Sequence, residues 1–517
     1  MKKLIVKIFR SLFYIAFLFI FTWVSAQLFF EKETENFLVS AKEVVFPSGD
    51  LDLEKLKDLR VVYPADPLSL EPTLADPIAR QRLDNIYETL VKFDRDLNIK
   101  PALALSWGML DDYTWEFKLR PNVKFHDGSD LDLLDVLTSY DRAMNYEKSE
   151  LIGVLSTVDI IKAIDEDVFI IKTFDPDPLL LQRLTTVRIF PDEFKDYEVI
   201  PSVGTASYKF VSWGNDSFME LSRFDDYWGE ESKFENVKIY SSVDKNERVR
   251  MFIEDEVDLL VFVPFDAAQF LEENDFQMAQ IPSLEVQFLT FNFESKYFKD
   301  LDNRKAFSLA LNQNDLIDMV GGFARRVNQF VSNGVFGYSP VIADHEYNTK
   351  LAKKIVKETE FEGKTIQFHL PIGLDVLGDF VRESLAEIGV NVVVSNLEIN
   401  DLLKSMEKGT ADLYFFGFKS ELADSSDFLN LLAKTEGVYN YSSYSNDEVD
   451  RLIDSSLTKI DERKRIIDLQ KAMKIIVEDD FLGVPLFEYE TIFAFNDKLG
   501  LEPRIDGLIY FDDLILK

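Results

Sequence analysis

The chain has 517 residues, is 46% hydrophobic and carries a formal net charge of −35. That length is ample for two or three domains with cores of their own, while the acidity argues against nucleic acid and anionic lipid as partners of the folded body, since phosphate would be repelled. Cysteine is absent, which removes disulfides, thiolate catalysis and cysteine-ligated metals.

In chain order, Lys2, Lys3, Lys7 and Arg10 come before an almost unbroken apolar run, SLFYIAFLFIFTWVSAQLFF. A basic flank stays in the cytoplasm, so everything downstream is expected outside it, in the periplasm or at the cell surface. Val24-Ser25-Ala26 fits a cleavage site. The apolar stretch also reaches Phe30 and is long enough to span as an uncleaved helix. Residues 1–30 are therefore read as a signal peptide or a membrane anchor, and 31–57 as a charged linker. A tethered body needs such a lead-in, which favours the anchor.

Strands are predicted at 60–63, 168–174, 207–213, 218–224, 237–241, 286–293, 365–370, 390–394 and 412–418. Helices read clearly between them. Leu133, Leu137, Tyr140 and Met144 form one apolar stripe over 130–145. Leu374, Leu377, Val381, Leu385 and Ile388 form another, ending at Gly389, and Ile466, Leu469, Met473 and Ile476 mark a third. From about residue 360 helix and strand alternate in a parallel-sheet rhythm, whereas the earlier part suggests a mixed sheet. The fold class is α/β.

One of three histidines lies in EFKLRPNVKFHDG, residues 116–128. Tyr113, Trp115, Phe117 and Leu119 alternate with polar residues, giving a strand with one buried face. Pro121-Asn122 supplies a turn, 123–125 a short return, and Asp127-Gly128 a second turn. Ser129 with Asp132 fits a capping box opening the helix at Asp130. Every residue here has a structural role, so His126 is read as a turn histidine bonding backbone, not as a catalyst.

The longer stretch ALSWGMLDDYTWEFKLRPNVKFHDGSDLDLLDV, from Ala104 to Val136, resembles the signature of the family 5 extracellular solute-binding proteins. These are receptors of ABC importers for dipeptides, oligopeptides and, in some branches, nickel. Further likeness follows in the family's order. Residues 67–94 resemble its opening strand-loop-helix, and VGTASYKFVSW with ELSRFDDYWGE its Gly-Thr-Gly-Pro-Tyr hairpin, with Ala206 and Ser207 replacing Gly-Pro. Residues 288–317, SSYSNDEVDRLIDSS and PLFEYETIFAF are similar to later motifs. The resemblance implies a two-lobe periplasmic-binding-protein-like fold that closes by a hinge around its ligand. Mapped here, lobe I would be 58–284 plus 500–517 and lobe II 285–499.

The resemblance also implies a site. The family run Gly-Trp-x-x-Asp-Tyr-x-Asp-Pro-x-x-Phe-Leu, whose first aspartate pairs with a peptide's α-amino group, aligns without a gap on GFKSELADSSDFL, residues 417–429. Phe418 takes the tryptophan place and Glu421 the amine-binding place. A buried ammonium needs an opposite charge and acceptor lone pairs, and a nearby ring adds a cation–π contribution. Glutamate keeps the charge on a longer arm, which departs from strict dipeptide geometry. Leu74, Ala75 and Asp76, in the loop after Pro72, are carried over as contacts to ligand backbone. Tyr414 and Phe416, on the strand leading to Glu421, are candidates that periodicity cannot separate from core.

The function expected is a monomeric, non-enzymatic receptor that delivers peptides to ABC permease subunits, with no cofactor and no metal. No nucleophile elbow, phosphate loop or dinucleotide fingerprint occurs. His345-Glu346 begins like a zinc-protease motif, but Thr349 stands where its second histidine would be. Alternatives left open are a chemosensory receptor of the same fold and a binder of a non-peptide solute. An extracellular hydrolase using two carboxylates is a weaker reading, because 92 acidic residues make close pairs unavoidable.

Overall fold

The structure, a computed structural model, describes residues 57–214, 218–319 and 321–517. The segment read as signal peptide or anchor lies outside the described residues. Among those described, no helix is long and apolar enough to cross a membrane.

Two compact units result. One takes the described residues up to Ile281 together with Thr491–Lys517; the other is Pro282–Glu490. The chain enters the second along the strand Gln277–Phe291 and leaves it along Gly483–Phe495. The first unit is therefore built from two separated pieces of sequence.

In the first unit Asp58–Tyr63 is the pivot of a mixed sheet. It runs parallel to Asn236–Ser241, with Val61 opposite Ile239, and parallel to Leu259–Val261 on its other side. Phe218–Arg223 and Tyr208–Trp213 then add antiparallel strands. Alternate residues Leu59, Val61 and Tyr63 point into a core shared with Leu83, Phe190, Phe234 and Phe493. A second, four-stranded antiparallel sheet, Ala104–Asp111, Thr114–Leu119, Val168–Thr173 and Val158–Ala163, packs its inner face on a core with the helix Leu133–Asn145. Phe117 stacks on Phe169 there, ring centroids 5.3 Å apart.

That helix starts later than its composition suggested. Asp132, not Ser129, is the N-cap: its carboxylate accepts from Leu134 N and Asp135 N, and Asp135 reciprocates on Asp132 N at 2.8 Å. Ser129 is already engaged by Asp127, which accepts from its N–H and its hydroxyl at 2.9 and 2.7 Å. Two overlapping cap candidates competed, and the local turn took the first. The expected return at 123–125 is reduced to an isolated bridge between Lys124 and Asp130. Asn122 sits at φ 59°, as the third position of a type II turn after proline requires.

The second unit has the parallel rhythm expected of it. Asn391–Leu397, Thr365–Pro371 and Leu413–Lys419 are neighbours in that order, mutually parallel, with the helices Asp375–Glu387 and Ile399–Lys408 as crossovers. Leu413–Lys419 then pairs antiparallel with Gln277–Phe291, which lies beside Gly483–Phe495. The architecture is mixed α/β, in two units.

Candidate functional site

The strand Leu413–Lys419 leads into the motif, and its register against Gln277–Phe291 sorts its side chains. Tyr414, Phe416 and Phe418 share one face with Val286, Phe288 and Thr290, whereas Gly417 and Lys419 share the other with Gln287 and Glu285. On the first face Phe416 and Phe418 are buried. Phe288 packs against Phe416 and Phe428 at 5.8 and 5.6 Å, and Phe428 stacks on Phe330 at 4.8 Å. Phe418 meets Phe428 edge-on at 5.4 Å. Tyr414 is fully buried; its hydroxyl accepts from Ala411 N and donates to Ser405 O. These three candidates thus stand in the aromatic core, and Phe416 also lines a small cavity with Tyr439 and Tyr441.

After Lys419 the chain turns tightly. Ser420 Oγ donates to Asp424 O and accepts from Asp424 N, at 3.0 and 3.1 Å, and Ala423 takes φ 54°. Asp424 is wholly buried and bound in bidentate fashion by Arg465, one bond being Nη2 to Oδ1 at 2.8 Å. Its Oδ1 also accepts from Ser426 N and Oγ. A buried pair this fully hydrogen-bonded fixes geometry more than it adds stability. This clamp holds the turn that carries Glu421.

The polar face holds a charge cluster. Glu285 lies directly across from Lys419, and Gln287 Nε2 donates to Glu285 Oε1 at 2.7 Å. Gly417, across from Gln287, leaves the space these groups occupy: a Cβ there would fall 2.7 Å from Gln287 Oε1 and 2.9 Å from Glu285 Oε1. Lys419 Nζ stands 3.8 Å from Glu421 Oε1, with side chains 16% and 22% exposed. Glu285 is fully buried, and that burial pushes its carboxyl up to about 7; the Glu421 charge adds to the effect, while Gln287 and Lys419 oppose it. Two carboxylates therefore share one ammonium. With Glu285 ionised the cluster is net negative and favours a cation; with Glu285 protonated it is a neutral dipole.

Leu74, Ala75 and Asp76 lie in the first unit, and each has local work. Leu74 packs on its core, Ala75 N donates to Glu150 Oε2 at 2.7 Å, and Asp76 caps the helix Pro77–Leu83 by accepting from Ile78 N and Ala79 N. His126 bonds backbone as expected. Gly204 N donates to its Nδ1 at 3.2 Å, so the proton sits on Nε2, which donates to Ala206 O at 2.8 Å. Burial lowers its pKa to about 4. Gly204 has no room for a side chain, since a Cβ would meet Ile86 O at 2.1 Å. His345 and His369 likewise contact protein groups, Leu311 O and Ser405 Oγ. A polar cavity of about 50 Å³ in the first unit is lined by Glu88, Lys92, Tyr227 and Asp512. That volume suits ordered water rather than a solute.

Glu285, Gln287 and Lys419 were not singled out from sequence. The available signal was two polar residues alternating with Val286 and Phe288 in an otherwise apolar run, which marks a strand face that something polar must satisfy.

The family model for bacterial extracellular solute-binding proteins, family 5, matches residues 98–440, well over half of the chain. The glutathione-binding protein GsiB of Pectobacterium atrosepticum is 26% identical over 473 residues, covering 87% of this chain and 91% of its own. Among solved structures, the ABC transporter-associated periplasmic binding protein DppA from Helicobacter pylori, in complex with the peptide STSA, aligns with a TM-score of 0.71 at 24% identity, over 90% of this chain and 100% of its own. NikA from Brucella suis, in complex with Fe(III)-EDTA, gives 0.81 at 20% identity over 89% and 100%. With the fold and the family match in agreement, this chain belongs to the family 5 bacterial extracellular solute-binding proteins, the non-enzymatic solute receptors of ABC importers.

Proposed function

We propose that this protein captures peptides with a free amine outside the cytoplasm, retains them by lobe closure, and hands them to ABC permease subunits, its N-terminal segment serving as a tether. The observation that carries the reading is Glu421. In sequence it aligns with the family's amine-binding position; it follows a strand anchored by an aromatic core, in a turn clamped by Asp424 and Arg465, and it stays partly exposed. A carboxylate held this way exchanges water for a ligand ammonium with little loss of freedom. Relatives whose names record glutathione and dipeptides, and a neighbour solved with a tetrapeptide, support a peptide-like solute. Leu74 and Ala75 would contribute ligand contacts through the first unit.

Mass spectrometry of solute released from freshly purified, denatured protein tests this reading. Peptides with free amines are expected, and the same peptides should raise the unfolding temperature saturably. Recovery of a metal chelate or another non-peptide solute alone would overturn it. The tether is checked separately: the full-length protein should stay with membranes after high-salt washing, and a mature N-terminus at Gln27 would replace it with a cleaved signal.

A further inference from the structure

Every open sheet has terminal strands, whose outward N–H and C=O groups pair readily with another chain unless a charge, a proline or a bulge discourages it. In the first unit the long terminal strands are all defended in this way. Tyr208–Trp213 carries Lys209 and a break in register between Phe210 and Ser212. Val158–Ala163 carries Asp159, Lys162 and a break between Val158 and Ile160, and Ala104–Asp111 has two breaks. In the second unit Asn391–Leu397 is terminal and has none of these devices. Its sequence, NVVVSNL, holds no charge and no proline, and its register with Thr365–Pro371 runs unbroken through seven pairs. Asn391 N donates to Lys364 O at 2.8 Å and Leu397 O accepts from Ile372 N at 3.1 Å, so the odd-numbered residues turn their main-chain groups inward. Val392, Val394 and Asn396 turn theirs outward, and no hydrogen bond from these three N–H groups occurs among the described residues. The strand is firmly seated: a Cβ on Gly378 of the covering helix would fall 2.8 Å from Val394 Cγ1, and Asn396 Nδ2 donates to Asp375. Val393 is 45% exposed.

We infer that Asn391–Leu397 is a docking edge for a second copy of this chain, paired antiparallel about a two-fold axis at Val394, a departure from the single chain expected above. With Val394 opposite its own counterpart, Val392 faces Asn396 of the second copy, and every outward N–H and C=O of the two strands finds a partner. A two-fold contact has to be self-complementary, and charge selects a second copy here. Two bodies of net charge −35 repel over most of their surface, but along this strand no acidic group faces another. Glu398, the first charge beyond the strand, falls opposite Val390 of the second copy. A basic segment gains nothing from an uncharged strand, and an acidic one is repelled by the body around it. Val393, on the open face, meets Ser395 of the second copy in a non-hydrogen-bonded pair, with Cα atoms about 4.5 Å apart. One strand pair is a small interface, so the dissociation constant should be on the order of 100 µM. Association should strengthen as salt screens the two bodies.

The chain has no cysteine, so introduced ones report on this contact alone. Full-length Val393→Cys and Ser395→Cys, mixed and oxidised, should form a disulfide-linked dimer, because directly opposite residues lie within disulfide reach. The mixture should cross-link roughly tenfold faster than either variant alone, and than Lys350→Cys, an exposed position on the helix Thr349–Glu358. Association through any other surface does not select residue 393 with residue 395. A rate no higher than that of Lys350→Cys would overturn the inference, and so would capture of a different protein when the two variants are co-expressed. Sedimentation equilibrium of the full chain is a second measurement that needs no cysteine. Wild type and Val393→Thr should gain mass with concentration, more so at high salt. Val393→Lys, which sets two ammonium groups diagonally across the axis, should need roughly tenfold more protein to do so. Equal curves for all three proteins would overturn the inference.

Discussion

Phe416 and Lys419 lie three positions apart on one strand and meet opposite surroundings. The face with Phe416 and Phe418 is closed, each ring packed on rings from other segments of the same unit. The face ending in Gly417 and Lys419 is polar and charged, with Glu285 and Gln287 as its floor. The pleat of a β-strand makes this division possible at no distance at all, since successive side chains point to opposite sides. One face supplies rigidity, and the other presents Glu421 and Lys419 at a fixed place. The division also explains why the carried-over aromatics and the carboxylate are unequal candidates. Tyr414, Phe416 and Phe418 stiffen the strand that leads to Glu421.

Breaking the closed face should have the largest effect. Phe428→Ala removes the ring that meets Phe288, Phe330 and Phe418, and should cost about 3–5 kcal/mol in chemical denaturation. The protein that remains folded should keep its ligand preference. A change of preference larger than the loss of stability explains would show that the two faces are not separable.

Changing the polar face should give a smaller effect that depends on pH. The Glu285 carboxyl is raised to about 7 from 4.5, so the folded state holds more protons than the unfolded chain between those values. Stability should therefore fall as pH rises from 4.5 through 7. Glu285→Gln removes that slope, and its advantage over the wild type should reach about 1–3 kcal/mol above pH 7 and disappear below 4.5. Denaturation midpoints across this range check it, and parallel curves for the two proteins would contradict the placement of Glu285.

His126, in the first unit, provides a contrast of opposite sign and similar size. Its pKa is lowered to about 4 from 6.5, so the unfolded chain binds more protons between those values. Its contribution should be intact above pH 6.5 and lost as pH falls toward 4, by on the order of 2 kcal/mol. His126→Gln should flatten that part of the curve and leave the slope above pH 7 unchanged.

Much of this was legible in the chain because it is local. The strand expected at 412–418 is found at Leu413–Lys419, and the helix stopped by Gly389 ends at Glu387, with Gly389 at φ 82°. His126 as a backbone staple also followed from its turn. What escaped is non-local. Glu285 and Lys419 are paired by the register of strands more than a hundred residues apart, which no periodicity encodes. Asp424 belongs to the quoted motif, but its partner Arg465 comes from a helix with its own apolar stripe. Glu421 as a candidate was visible through family resemblance alone; the lysine beside it was noticed only when the turn brought its charge to 3.8 Å.

The central claim is that Glu421 receives a ligand ammonium. Calorimetry of the wild type and Glu421→Gln with an unblocked peptide and its N-acetylated counterpart tests it most directly. The substitution should weaken the unblocked peptide by roughly tenfold to a hundredfold and leave the acetylated one unchanged. Equal loss for both peptides, or none for either, would contradict it.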